Sequence, residues 1–141
     1  NVPGIAGFGA AAAEFSPEAV RVRYKRLAAL REYLLSKLPD DVSVNKPSGK
    51  TAPHILSLKL PSIKSETMLH FLSARNIYVS SGSACASHGK KASHVLTAFG
   101  LSPKEADCTL RVSLDDSVTE EMLDIFASAL DDGCRSLVKI N

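Results

Sequence analysis

Tryptophan is absent from this sequence, and phenylalanine and tyrosine bring the aromatic share to only 6%. So few flat rings leave little on which nucleic-acid bases could stack. The net charge of +2 is too small to track a phosphate backbone or an anionic membrane surface, so neither nucleic acid nor membrane is expected as a partner. No apolar run reaches the roughly 20 residues of a membrane span. Cysteine is scarce as well: Cys85, Cys108 and Cys134 are an odd number without close pairing, which suits a reducing cytosol better than a secreted disulfide framework. Zinc sites show two tight ligand pairs, whereas Cys85-x-x-His88 with the distant His94 and Cys108 makes one loose pair, so no metal is expected. Phosphate-cradling glycine motifs and paired carboxylates are also missing. What remains is the composition of an ordinary globular chain, 45% hydrophobic and 23% charged, and 141 residues suffice for one domain with a real core. Gly4–Ala13 has the apolar character of a signal-peptide core but no basic leader, and the chain begins at Asn1 without methionine; a piece of a longer protein is the expectation.

Along the chain, Asn1–Ala13 reads as a small-residue segment that needs a partner surface to be ordered. Ser16-Pro17-Glu18 carries a helix start, and Val20, Tyr24, Leu27, Leu30, Leu34 and Leu38 recur at helical spacing, predicting one amphipathic helix over 17–38. Arg21, Arg23, Lys25 and Arg26 form its solvated face. Val42–Val44 is a short strand candidate, and His54–Leu60 alternates with Leu56, Leu58 and Leu60 on the inner face. Ser65 is placed to cap a helix burying Met68, Leu69 and Leu72 and ending at Asn76, after which Ile77–Ser80 reads as a strand. A short helix over 93–99 closes at Gly100, and Ser102-Pro103-Lys104-Glu105 has capping-box spacing. Thr109–Leu114 alternates again, with Leu110, Val112 and Leu114 inward. Ser117-Val118-Thr119-Glu120 reads as a second capping box before a terminal helix reaching about Lys139, whose stripe is Met122, Ile125, Phe126, Ala129, Leu130 and Leu137. The pattern predicts an α+β domain: a small, mostly antiparallel sheet with helices packed on one face.

Two features carry chemistry. Ser80–Lys91 holds two glycines and four serines in twelve residues, a loop composition that presents Cys85 among small polar neighbours, with His88, Lys90 and Lys91 supplying positive charge. A surface loop that merely contains a cysteine is the alternative on composition alone. A His could serve that thiol in nucleophilic catalysis, with His54, His88 and His94 as undistinguished candidates. Arg111 lies mid-strand on the face opposite the leucines, where a guanidinium can make a bidentate pair with a carboxylate or simply face water. Cys108 and Cys134, at a helix-to-strand join and in a helix, read as structural.

Ser80-Ser81-Gly82-Ser83-Ala84-Cys85, followed by Ser93-His94-Val95-Leu96 and Thr109-Leu110-Arg111-Val112-Ser113-Leu114, resembles the cysteine desulfurases of the iron–sulfur and nitrogen-fixation type within the class V aminotransferases. The opening Asn1–Gly9 looks like the point where that family's chain leaves its large domain, and the helix behind Thr119-Glu120-Glu121 also fits, so the resemblance covers essentially the whole chain. It implies the C-terminal small domain of a homodimeric fold-type I pyridoxal-phosphate enzyme, with residues 1–15 as the lead-in and 16–141 as the domain. That family converts L-cysteine to L-alanine and holds the sulfur as a persulfide on a mobile-loop cysteine. By this resemblance Cys85 is the persulfide carrier, Arg111 pairs with the substrate carboxylate, and the loop length matches the branch in which the cysteine swings between active site and sulfur acceptor. That acceptor is an iron–sulfur scaffold or a sulfurtransferase serving thio-cofactor or tRNA thiolation. A Gly/Ser loop can serve two stations where a rigid strand cannot, and His88 and Lys90 would raise the thiolate fraction. The family's Ser-x-His-Lys motif and its Arg-Gly-Thr phosphate segment are missing. No cofactor-binding residue is therefore assigned here, and the chain alone is expected neither to bind pyridoxal phosphate properly nor to desulfurate cysteine. The alternatives are another pyridoxal-phosphate lyase or aminotransferase with an incidental loop cysteine, or a non-catalytic α+β interaction domain.

Overall fold

The computed structural model describes residues 1–47, 49–81 and 94–140. The chain runs α1 (Val2–Ala13), α2 (Pro17–Lys37), β1 (Ser43–Val44), β2 (Ile55–Lys59), α3 (Ser65–Ser73), β3 (Ser80–Ser81), α4 (His94–Ala98), α5 (Pro103–Asp107), β4 (Thr109–Ser113) and α6 (Glu120–Ser136). The strands pair antiparallel in the order β1-β2-β4-β3. Because successive side chains in a strand point to opposite faces, Leu56 and Leu58 of β2 and Leu110 and Val112 of β4 are buried together on one face. Leu60 and Leu114, just past the strand ends, extend the same surface. Leu27, Leu30 and Leu34 of α2, Met68 and Leu72 of α3, and Leu123, Phe126 and Leu130 of α6 cover it in one core. Each leucine so buried stabilises the fold by about 1.5–3 kcal/mol. This is the α+β arrangement that the alternation predicts.

Helix α2 starts as expected, with Ser16 Oγ accepting from the Ala19 amide at 3.2 Å, but only its second half is core. Val20 and Tyr24 are 45% and 53% exposed. The reason is length: 21 residues at 1.5 Å each make a helix of about 32 Å, against about 17 Å for a five-residue strand, so the first turns overhang the sheet.

Three further expectations are corrected. Ser65 does not cap α3; it is buried as the first helical residue, and Lys64 occupies the cap position with no side-chain bond. Ile63 and Met68, on either side of that start and both wholly buried, have the spacing of a hydrophobic staple, which fixes the helix start where no side-chain cap does. The expected strand over 77–80 shrinks to Ser80–Ser81, because Asn76 turns the chain at φ 60° and the Ile77 amide bonds back to the Leu72 carbonyl at 3.1 Å, closing α3 and directing Ile77 to the core. Ser117 does not head a capping box. Its amide and hydroxyl both donate to Asp115 Oδ1, at 2.7 and 2.6 Å, and Thr119 caps α6 instead, accepting from the Met122 amide at 3.3 Å.

The stripe of α6 is also rotated from the expected one. Met122 and Ile125 are exposed, whereas Leu123, Ala127, Gly133 and Cys134 are buried beside Phe126, Ala129 and Leu130. Small residues line this face: a Cβ on Gly133 would stand 2.6 Å from Met68 Sδ, so a larger residue there would push the end of the Met68 side chain aside. Asn1–Ala13, expected to need a partner surface for order, is helical as α1, with Asn1 Oδ1 accepting from the Gly4 amide at 3.1 Å, yet it buries no side chain.

Candidate carboxylate-binding cleft

The polar face of the sheet follows from the same alternation that makes the core. Arg111 of β4 stands opposite Ser57 of β2 on one side and Ser80 of β3 on the other, a row of three across adjacent strands. Its Nη2 donates to Ser80 Oγ at 3.3 Å. None of the ion pairs among the described residues involves Arg111, although the side chain is half-buried. A guanidinium kept partly out of water without a carboxylate is costly and, being a planar fork of five donors, is shaped to take one.

Beside it opens a cleft of about 340 Å³. Ser57, Thr109 and Arg111 supply its polar floor, and Val95, Leu96 and Phe99 of the α4 segment supply an apolar wall. Gly100, at φ 79°, closes α4 as expected, with the Leu101 amide bonding to the Leu96 carbonyl at 3.2 Å. The capping box of α5 forms in full: Glu105 accepts from the Ser102 amide and hydroxyl at 2.9 and 2.8 Å, and Ser102 Oγ accepts from the Glu105 amide at 3.3 Å. Lys59 Nζ lies 2.9 Å from Glu105 Oε1, and Thr109 Oγ1 donates to the Glu105 carbonyl at 2.8 Å, so α5 is tied to both central strands. With Lys59 first and Ser102 second, these bonds hold the Glu105 carboxyl down at about 2.

Two residues that sequence reasoning did not single out also line the cleft. Arg31 of α2 donates from Nη1 to the Ile55 carbonyl at 2.8 Å and has no carboxylate partner among the described residues. Asn45, held by its amide to the Ser57 carbonyl at 2.9 Å, donates from Nδ2 to Ser57 Oγ at 3.1 Å. Ser57 itself shares the outward phase of β2 and is found once β2 is paired with β4 in register; nothing in the sequence signals Arg31.

Cys85, with His88, Lys90 and Lys91, lies outside the described residues. His54 is exposed at the start of β2, and His94 begins α4. Cys108 and Cys134 are free and buried. Burial, with Asp107 nearby, pushes the Cys108 thiol up, and burial with Asp41 and Asp131 pushes Cys134 up to about 11. Both thiols are thus held in the unreactive form.

The described residues thus build an antiparallel α+β domain whose strand arginine, outside their ion pairs, stands beside a cleft. The family model for class V aminotransferases matches residues 1–126, and the chain belongs to that family. Within it, the likeness runs to cysteine desulfurases. A NifS/IcsS protein homolog of Lactobacillus delbrueckii subsp. bulgaricus is 41% identical over 92 residues, covering 64% of this chain and 23% of the relative. Cysteine desulfurase IscS of Methanosarcina thermophila is 35% identical over 127 residues, covering 88% of this chain and 31% of the relative. Among solved structures, a NifS-like protein from Rickettsia africae superposes with a TM-score of 0.79 at 28% identity, covering 97% of this chain and 35% of that one. A second NifS-like protein gives 0.78 at 32% identity, covering 97% and 34%. The chain therefore spans about a third or less of the length of these relatives.

Pyridoxal phosphate is characteristic of this family. Among the described residues no lysine lines the cleft; Lys59 is paired with Glu105, and Lys37 lies 3.3 Å from Asp124. The donors present fit a carboxylate. They do not supply the amine that would hold that cofactor.

Proposed function

We propose that this chain is the C-terminal small domain of a cytoplasmic, homodimeric cysteine desulfurase, with residues 1–15 leading in from a large domain and 16–141 forming the small domain. In this reading Arg111 pairs with the carboxylate of L-cysteine, and Cys85 takes the sulfur. L-Cysteine and the Cys85 thiol become L-alanine and a Cys85 persulfide, which an acceptor protein then relieves of its outer sulfur for iron–sulfur cluster assembly or thiolation. Pyridoxal phosphate is held by the rest of the polypeptide.

One observation carries the reading. Arg111, a half-buried cation without a carboxylate partner among the described residues, bonds to Ser80, and Cys85 follows Ser80 by five residues. Five residues of extended chain span at most about 18 Å, which bounds the Cα-to-Cα separation of Cys85 from Ser80, the guanidinium's neighbour. That reach is long enough for Cys85 to meet the rest of a small amino acid whose carboxylate sits at Arg111.

The test is the full-length polypeptide supplied with pyridoxal phosphate and L-cysteine. The expected result is L-alanine together with a sulfane sulfur on Cys85 by mass spectrometry, and Cys85→Ala should abolish alanine turnover under physiological reductant. A keto acid or other product in place of alanine, or turnover indifferent to Cys85→Ala, would assign the chain to another branch of the family.

A further inference from the structure

Resting on the reading of Arg111 as the carboxylate clamp, we propose that Ser57 is a second donor to the same carboxylate and that Asn45 sets the direction of its hydroxyl. Ser57 and Arg111 are register partners on the polar face, and side chains directly opposite in an antiparallel pair have Cβ atoms about 4.5–5.5 Å apart. Both line the one cleft. A serine hydroxyl carries one proton to give and two lone pairs to receive. The Asn45 amide occupies a lone pair at 3.1 Å, and among the described residues the Ser57 hydroxyl makes no donor bond. Its proton is therefore available on the side away from Asn45, next to the guanidinium. Asn45 is itself fixed by its backbone bond to the Ser57 carbonyl, so the amide that orients the hydroxyl moves with it.

The chemistry of a carboxylate supports this division of labour. Its two oxygens offer about four lone-pair sites, and a guanidinium fork fills two of them. Arg111 spends one of its donors on Ser80, which fixes the fork toward β3 and leaves the β2 side of a bound carboxylate to be satisfied by another group. Ser57 stands on that side. Val95, Leu96 and Phe99 wall the same cleft with apolar surface, beside which a hydrogen bond to an ion is stronger than in open water.

The test uses full-length enzyme and compares L-cysteine with cysteamine, which has the thiol and amine but no carboxylate. Ser57→Ala is expected to raise KM for L-cysteine about tenfold, as befits the loss of one hydrogen bond to a charged group, with kcat within about twofold and the cysteamine inhibition constant unchanged. Ser57→Thr, which retains the hydroxyl, should keep KM near the parent value. Asn45→Asp should raise KM further than Ser57→Ala, because a carboxylate there accepts the hydrogen bond that the serine hydroxyl would donate to the substrate and also repels the substrate carboxylate. An unchanged KM in Ser57→Ala, or equal losses for L-cysteine and cysteamine, overturns the proposal. Arg111→Ala separates the two readings: if it raises KM while Ser57→Ala does not, only the role of Ser57 falls; if it too leaves KM unchanged, the carboxylate clamp falls with it.

Discussion

At the scale of single residues, Glu105 ties α5 to the two central strands. Its carboxylate accepts from Lys59 of β2 and from Ser102 at the head of α5, and its carbonyl accepts from Thr109 at the start of β4. The side chain is held at about 2, against an ordinary 4.5. Between those values the unfolded chain binds a proton that the folded chain refuses, so protonation favours unfolding. Glu105 therefore contributes stability that is fully present above about pH 4.5 and is lost as the pH falls toward 2. The urea midpoint should drop across that window, and Glu105→Gln should flatten part of the drop while lowering the midpoint at pH 7. Identical acid profiles for the two proteins would show that the carboxylate is not held. Burial treats the thiols differently. Of the three cysteines, Cys108 and Cys134 are shut in the core with their thiolates disfavoured, which leaves Cys85 as the residue to test for sulfur transfer.

At the scale of elements, the start of α6 separates two sequence motifs that look equally good. Ser117-x-x-Glu120 has capping-box spacing, yet Asp115 takes both the amide and the hydroxyl of Ser117, and Thr119 accepts from the Met122 amide. Thr119→Ala should therefore destabilise the fold by about 1 kcal/mol, while Ser117→Ala stays within about 0.5. Chemical denaturation of the two variants checks the order, and the reverse order would restore Ser117 as the cap. The same competition explains what could be read from the residues. Strands β2 and β4 were legible because alternation over five residues has only two phases, and the leucines choose one. Arg111 followed from that phase. A helical stripe is less binding. In α6 the stripes through Met122 and through Leu123 are both available, and the fold buries the second, where Gly133 leaves room for the Met68 side chain. In α2 the periodicity was right, but it carries no information on where the sheet beneath it ends. Asn45 and Arg31 were illegible for another reason: their place beside Arg111 depends on tertiary contacts, one through Ser57 and one through the Ile55 carbonyl.

At the scale of the whole molecule, the core is complete without the first helix. No residue before Leu27 is among its members, and α1 leaves Val2, Ile5 and Phe8 more than two-thirds exposed. Twelve residues are marginal for an isolated helix, and Gly4, Gly7 and Gly9 each cost roughly 1 kcal/mol relative to alanine. The rest of the described chain offers little in return, the nearest aromatic contact being Arg23 over the Phe15 ring, which lies after α1. Removal of residues 1–14 from this chain should therefore leave both the urea midpoint and the slope of unfolding unchanged, since the slope follows the surface exposed on unfolding and α1 buries almost none. A lower midpoint or a shallower slope would mean that α1 packs on the sheet domain, and the proposed boundary at residue 16 would have to move to the N-terminal side. In the full-length polypeptide the expectation reverses. An apolar helix with no face in this core needs a surface elsewhere, so Phe8→Ser should lower the stability of the full-length polypeptide while leaving that of the 141-residue chain untouched.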